Sequence, residues 1–143
     1  MSEVLVTSKA IAAYGSDGHV RSADGLIDLN LVDSIRSNEG SGADPEQLFA
    51  AAYAACFDGA LQLAAKKKKE SIDSETTVEV RLYKDTDYGG YKITVHLDVR
   101  IEGVNPEEAE ELASKAYQIC PYSKATRGNI TVTLNPMAVE KPS

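Results

Sequence analysis

Positive charge is scarce in this sequence. Lysine and arginine total 15 against 22 aspartates and glutamates, for a net charge of −7. A nucleic-acid partner needs a basic face, and docking on anionic lipid needs a polybasic one, so both classes of partner are set aside. Residues 1–11 lack a basic segment followed by an apolar one, which argues against a secretory signal. No apolar run reads as long and clean enough to span a bilayer. These absences point to a cytosolic chain. Cysteine and histidine are equally sparse: Cys56, Cys120, His19 and His96 are the whole set. There is no C-x-x-C pair for thioredoxin-like exchange and no spacing typical of a zinc site. Neither an internal repeat nor a low-complexity segment is present. The remainder is ordinary. Hydrophobic residues make up 43% and charged residues 26% of 143 positions, which suits a single domain over residues 1–143, large enough to hold a core without metal or disulfide.

Loose alternation from Val4 to Tyr14, the turn Gly15-Ser16-Asp17-Gly18, a second run at His19 to Ser22 and a third through Leu26, Ile27, Leu29 and Leu31 predict a small antiparallel meander. Ser34 to Ala43 reads as a loop. Asp44-Pro45-Glu46-Gln47 is a helix start, with Asp44 as the cap and proline where no amide donor is needed. Leu48 to Ala65 follows with no polar stripe, so this helix is expected to be buried on most sides. Lys66 to Lys69 close it as a solvated end that suits the helix dipole. Thr76 to Lys84 and Tyr91 to Ile101 are predicted strands around Asp87-Tyr88-Gly89-Gly90, with Thr94, His96, Asp98 and Arg100 on the wet face. Asn105-Pro106 starts a second helix that runs to about Ile119, where Cys120-Pro121 ends it. Ile130 to Leu134 is a last strand and Asn135 onward a polar tail. The class is α+β, an antiparallel sheet with two helices. The central helix is too apolar for one small sheet to cover, and a homodimer is expected.

Two cysteines in a reducing compartment do not read as a permanent staple; they are either apolar core residues or redox groups. Cys56 falls mid-helix, where a small buried residue is as natural as a reactive one. Cys120 stands at a helix end, a better place for a reactive thiol. Two distant cysteines allow one specific chemistry. A thiolate attacks a peroxide oxygen and becomes a sulfenic acid, and a second thiol condenses with it to a disulfide that an external reductant reopens. The attacking thiol needs a nearby cation or dipole to lower its pKa. An apolar surrounding would favour alkyl or lipid peroxides, although the Leu, Ala, Phe and Tyr near Cys56 fit a plain core equally well.

The block from Asp44 through Glu46 and Tyr53 to Cys56-Phe57, together with Cys120-Pro121-Tyr122-Ser123-Lys124-Ala125-Thr126-Arg127-Gly128-Asn129, resembles the organic hydroperoxide resistance (Ohr) branch of the OsmC superfamily. The resemblance covers nearly the whole chain. It implies an OsmC-like α+β fold, with antiparallel sheets around two helices, a buried central helix and an intertwined homodimer. It also implies a peroxidatic Cys56, a resolving Cys120, an organic hydroperoxide substrate and a dihydrolipoyl-type dithiol as reductant, with no cofactor and no metal. Glu46 matches the family's catalytic glutamate, while also suiting the helix start as a carboxylate. The family arginine is missing, because Ser16 stands in its place; Arg21 and Arg36 are the nearest substitutes, and Arg127 reads as structural. Asp58 is an unexpected carboxylate in an apolar helix, placed to pair with a displaced cation, face a solvent-filled gap or raise the Cys56 pKa. Glu46 and Cys56 lie ten positions apart, so a site using both would take the glutamate from a partner chain. Two alternatives stand beside the Ohr reading: a broader OsmC-type peroxidase, and a non-catalytic small-molecule-binding protein on the same scaffold.

Overall fold

The computed structural model describes residues 2–33, 35 and 42–140, apart from the side chain of Ser16. Most of the predicted 34–43 loop, and Arg36 with it, lies outside the described residues. The chain forms two compact units, Met1–Leu48 and Phe49–Ser143.

The first unit is the expected meander. Strands β1 (Ala10–Ala13), β2 (His19–Ser22) and β3 (Asp28–Asn30) pair antiparallel in chain order. Strand β1 is shorter than predicted, since the alternation before Lys9 has no ladder to join. Between β1 and β2 the chain makes a single 3-10 turn over Gly15–Asp17, entered through Tyr14 in the left-handed region at φ 66°. The small sheet buries little of its own apolar surface: Val4, Leu5, Val6, Ile11, Leu26, Ile27 and Leu29 are all exposed.

The second unit is built on helix α1 (Pro45–Lys67), whose first residues belong to the first unit. The Asp44 carboxylate accepts the Gln47 amide at 2.7 Å, as the cap pattern predicts. At the other end Lys69 turns left-handed at φ 60°. The Glu70 amide reaches the Ala65 carbonyl at 2.9 Å and the Lys69 amide that of Lys66 at 3.0 Å, so the last carbonyls are satisfied by a Schellman turn. Strands β4 (Asp73–Lys84) and β5 (Tyr91–Glu102) pair antiparallel over their whole length. Their turn is held by the Asp85 carboxylate, which accepts the Asp87 and Tyr88 amides at 3.1 Å each. Helix α2 (Pro106–Ile119) is capped by Asn105, which accepts the Glu108 amide at 2.9 Å.

Three expectations are corrected. Pro121 ends α2 but also opens a further helix, α3 (Pro121–Thr126); a proline that disfavours helix before itself is well suited to the first helical position after itself. The last strand, β6, runs Val132–Val139, well into the supposed polar tail, with Pro136 tolerated because β6 is a sheet edge and need not donate at every position. It is parallel to β5, not antiparallel, because α2 and α3 form a crossover that returns the chain in the same direction. The second sheet is therefore mixed, in the order β4-β5-β6.

Helix α1 is buried along one face only. Tyr53, Phe57, Leu61, Ala64 and Ala65 join Val95, Leu97, Val99 and Ile101 of β5 and Ala109, Leu112 and Ala116 of α2 in one core. Ala51, Ala55, Gly59 and Leu63, spaced by four, remain exposed. By length and composition alone α1 would also suffice to cross a bilayer, which the sequence reading did not allow. Here its aromatic face packs on a sheet.

Candidate active site: a thiol pair between two helices

Tyr53, Cys56 and Phe57 share one face of α1, since residues three and four apart stack along a helix. Cys120 is the extended residue between α2 and α3, with φ −63° and ψ 118°, as a residue before proline prefers. These two local geometries bring the cysteines together across 64 positions of sequence. The Cys120 thiol lies 3.2 Å from the Cys56 sulfur. Both are free thiols; Cys120 is fully buried and Cys56 half-buried. Only Cys56 is open to an incoming reagent, and Cys120 stands directly behind it.

Burial pushes the Cys56 thiol above its ordinary value, and the hydrogen bond shared with Cys120 pushes the same way. The backbone amide of Tyr122 acts in the opposite sense, by stabilising the anion. Among the described residues of its own unit, no cation acts on Cys56.

A second contact lies beside the thiols. The Tyr53 hydroxyl and the Ser123 hydroxyl are 2.7 Å apart, and both residues are fully buried. The Tyr53 ring also meets Tyr122 edge-on at 5.9 Å and Phe49 at 6.1 Å. Burial raises the Tyr53 pKa, so its hydroxyl stays protonated. Sequence reasoning did not single out Tyr53 or Ser123. The available signal was spacing, because each lies three residues from a cysteine.

A model for OsmC-like protein matches residues 38–135 of the chain. The organic hydroperoxide resistance protein OhrB of Bacillus subtilis is 49% identical over 131 residues, covering 91% of this chain and 96% of that protein. OhrA of the same organism is 47% identical over 137 residues, 94% and 97% of the two chains. This chain belongs to the OsmC-like family, in its organic hydroperoxide resistance branch. The crystal structure of an Ohr protein from Legionella pneumophila superimposes with a TM-score of 0.89 at 44% identity, covering 96% of this chain and all of that one.

The remaining residues expected of an Ohr site fall as follows. Glu46 sits in the first turn of α1, with one carboxylate oxygen buried and without a hydrogen-bond partner. The helix is unbroken from there to Cys56, so the two lie about 15 Å apart along its axis. Arg21 is on β2 in the first unit, opposite Ile11 and Asp28. Arg127 donates to the Tyr117 carbonyl at 2.8 Å and lies 4.7 Å over the Tyr117 ring, tying the end of α3 to α2. Asp58 pairs with no cation among the described residues. It accepts the hydroxyls of Ser74 at 2.9 Å and Thr76 at 3.0 Å on β4, and it is absent from the groups that set the Cys56 pKa. Two steps along a helix turn a side chain through about 200°, which aims Asp58 at the sheet while Cys56 faces α3.

Proposed function

We propose that this chain is a thiol peroxidase that reduces organic hydroperoxides to alcohols. The supporting observation is the 3.2 Å approach of a half-exposed thiol to a buried one. The Cys56 thiolate attacks the outer peroxide oxygen, the O–O bond breaks, and the alkoxide leaves as the alcohol after taking a proton. Cys56 is then a sulfenic acid. The Cys120 sulfur attacks it, water leaves, and a Cys56–Cys120 disulfide remains. A dihydrolipoyl-type dithiol reduces that bond by two exchange steps and becomes a disulfide itself. Closing the protein disulfide needs the sulfurs to approach by only about 1.2 Å, from 3.2 Å to a bond length. No cofactor or metal enters these steps.

A thiol held protonated by burial is activated by a cation beside it. Arg21 or Arg36 supplies it, held by Glu46. Because Glu46 is about 15 Å from Cys56 along the helix of its own chain, the glutamate comes from the partner of a homodimer, which also covers the exposed stripe on α1. The chain as a whole, residues 1–143, is read as a single domain in the cytosol. If the approach to Cys56 is apolar, alkyl hydroperoxides are favoured over hydrogen peroxide, each buried methylene adding roughly 0.8 kcal/mol.

The test is addition of one equivalent of an alkyl hydroperoxide to the reduced chain, followed by peptide mapping. Rapid thiol loss with an intrachain Cys56–Cys120 bridge is expected. Inert thiols would favour the second reading, a binding protein, for which the absent family arginine at Ser16 and the raised thiol pKa speak. The shared site is tested by mixing Cys56→Ser and Glu46→Gln chains. Activity returns in heterodimers if the site is made of two chains. With exchange verified, no return refutes the sharing.

A further inference from the structure

Tyr53 and Cys56 are three residues apart on α1, and Cys120 and Ser123 are three residues apart at the start of α3. The two contacts between these elements therefore form adjacent rungs: Tyr53 to Ser123 at 2.7 Å and Cys56 to Cys120 at 3.2 Å. Each rung is offset from the other by about one helical turn on both sides. We infer that the Tyr53–Ser123 hydrogen bond is a positioning clamp that sets the approach of Cys120 to Cys56 and so controls how fast their disulfide closes. The inference rests on the peroxidase reading above and deepens it.

Helix α3 has six residues, too few to be stable by itself. Its far end is fastened to α2 by Arg127. Its near end, which carries Cys120, is fastened to α1 by Tyr53, through the Ser123 hydroxyl and the edge of the Tyr122 ring. The Ser123–Tyr53 bond is fully buried. Thr126 of α3 is a further hydrogen-bond partner of Tyr53, and breaking the Ser123 contact would leave a buried serine hydroxyl away from water, so the clamp holds through small motions of the surrounding chain. The remaining closure of the sulfurs, about 1.2 Å, then falls to side-chain rotation at the cysteines. Holding two reacting groups in this way raises their effective concentration. The Tyr53 hydroxyl hydrogen-bonds to Ser123, while the Cys56 thiol hydrogen-bonds to Cys120. Tyr53 positions the resolving thiol.

The experiment compares Tyr53→Phe, Ser123→Ala and the double variant with the unaltered full-length chain. Tyr53→Phe strands the buried Ser123 hydroxyl, whereas Ser123→Ala leaves the Tyr53 hydroxyl with Thr126 as its other partner; the double change removes both hydroxyls of the bond and is the better folded control. Ser123→Thr keeps a hydroxyl and serves as the rescue. Two readouts are taken. The first is the equilibrium with glutathione, in which oxidised glutathione takes two electrons from the Cys56–Cys120 dithiol and two reduced glutathiones and the protein disulfide result. The effective concentration of the pair should fall at least tenfold in the double variant and recover in Ser123→Thr. The second is mass spectrometry of Cys56 during titration with an alkyl hydroperoxide. Slower closure should divert the sulfenic acid to the sulfinic acid, with disulfide formation falling far more than the rate of first oxidation. A glutathione equilibrium within twofold of the parent overturns the clamp. So does a parallel fall of both steps, which would mean general damage. If Cys56 is inert to hydroperoxide in the parent, the peroxidase reading fails, yet the glutathione equilibrium still decides the clamp.

Discussion

Replacing Asp58 with alanine should destabilise the fold without touching the chemistry. The carboxylate accepts hydroxyl hydrogen bonds from Ser74 at 2.9 Å and Thr76 at 3.0 Å, and Gln62 extends the chain by donating to Ser74 at 2.7 Å. A hydrogen bond to a charged acceptor contributes about 1.5–3 kcal/mol when well sheltered. Asp58, Ser74 and Thr76 are all half-buried, so solvent reduces that figure, and about 2 kcal/mol for the pair of bonds is a reasonable expectation. With a urea slope near 2 kcal/mol per molar, the midpoint of unfolding should drop by about 1 M. Asp58→Asn keeps an acceptor oxygen and should lose less than half as much. Neither change should alter the rate of Cys56 oxidation by an alkyl hydroperoxide by more than about twofold, because Asp58 faces the opposite side of α1. An unchanged urea midpoint would refute the anchoring role. A large change in the oxidation rate of the folded variant would show instead that Asp58 acts on the thiol after all.

Cys120→Ser should allow one oxidation of Cys56 and then stop, with Cys56 drifting to the sulfinic acid; continued turnover with a dithiol would contradict the resolving role. Since burial holds Cys56 protonated, its oxidation rate should climb with pH, and if Arg21 supplies the activating cation then Arg21→Gln should move that climb to higher pH. An unmoved profile would leave Arg36 as the candidate. Cys56 and Tyr53 are both raised by burial from ordinary values of 9.0 and 10.0. The unfolded chain then releases protons first, and stability should fall as pH rises through those values. Urea midpoints that are equal at pH 8 and pH 10 would refute this.

Features decided by neighbouring residues were legible in the sequence. Asp44-Pro45 and Asn105-Pro106 start helices because capping is local chemistry. The alternation around His96 marks β5 because one face of a strand is buried. The direction of β6 was not legible: Ile130 to Leu134 looks the same in either sense, and only the α2–α3 crossover decides it. Helix α3 was not legible because a proline marks the end of the helix before it without showing that it opens another. That α1 carries more apolar surface than one sheet covers was legible, but not that the uncovered stripe is Ala51, Ala55, Gly59 and Leu63, because small apolar residues read as core whether or not the chain itself covers them. At the site, the two cysteines were conspicuous by scarcity, and a family resemblance linked them. Tyr53 and Ser123 are 70 positions apart and common in type, so nothing short of their packing could join them.

The separation of the cysteines along the chain has a thermodynamic consequence. A bond between sulfurs 64 positions apart closes a long loop in the unfolded ensemble and removes roughly 4 kcal/mol of chain entropy from it by the standard loop relation. Each oxidation would therefore make the protein harder to unfold, and each reduction would return that margin. On the proposed chemistry, the reduced chain would be the more fragile of the two forms. Proteolysis and heat should discriminate between them, and a cell short of reducing power would accumulate the hardier one.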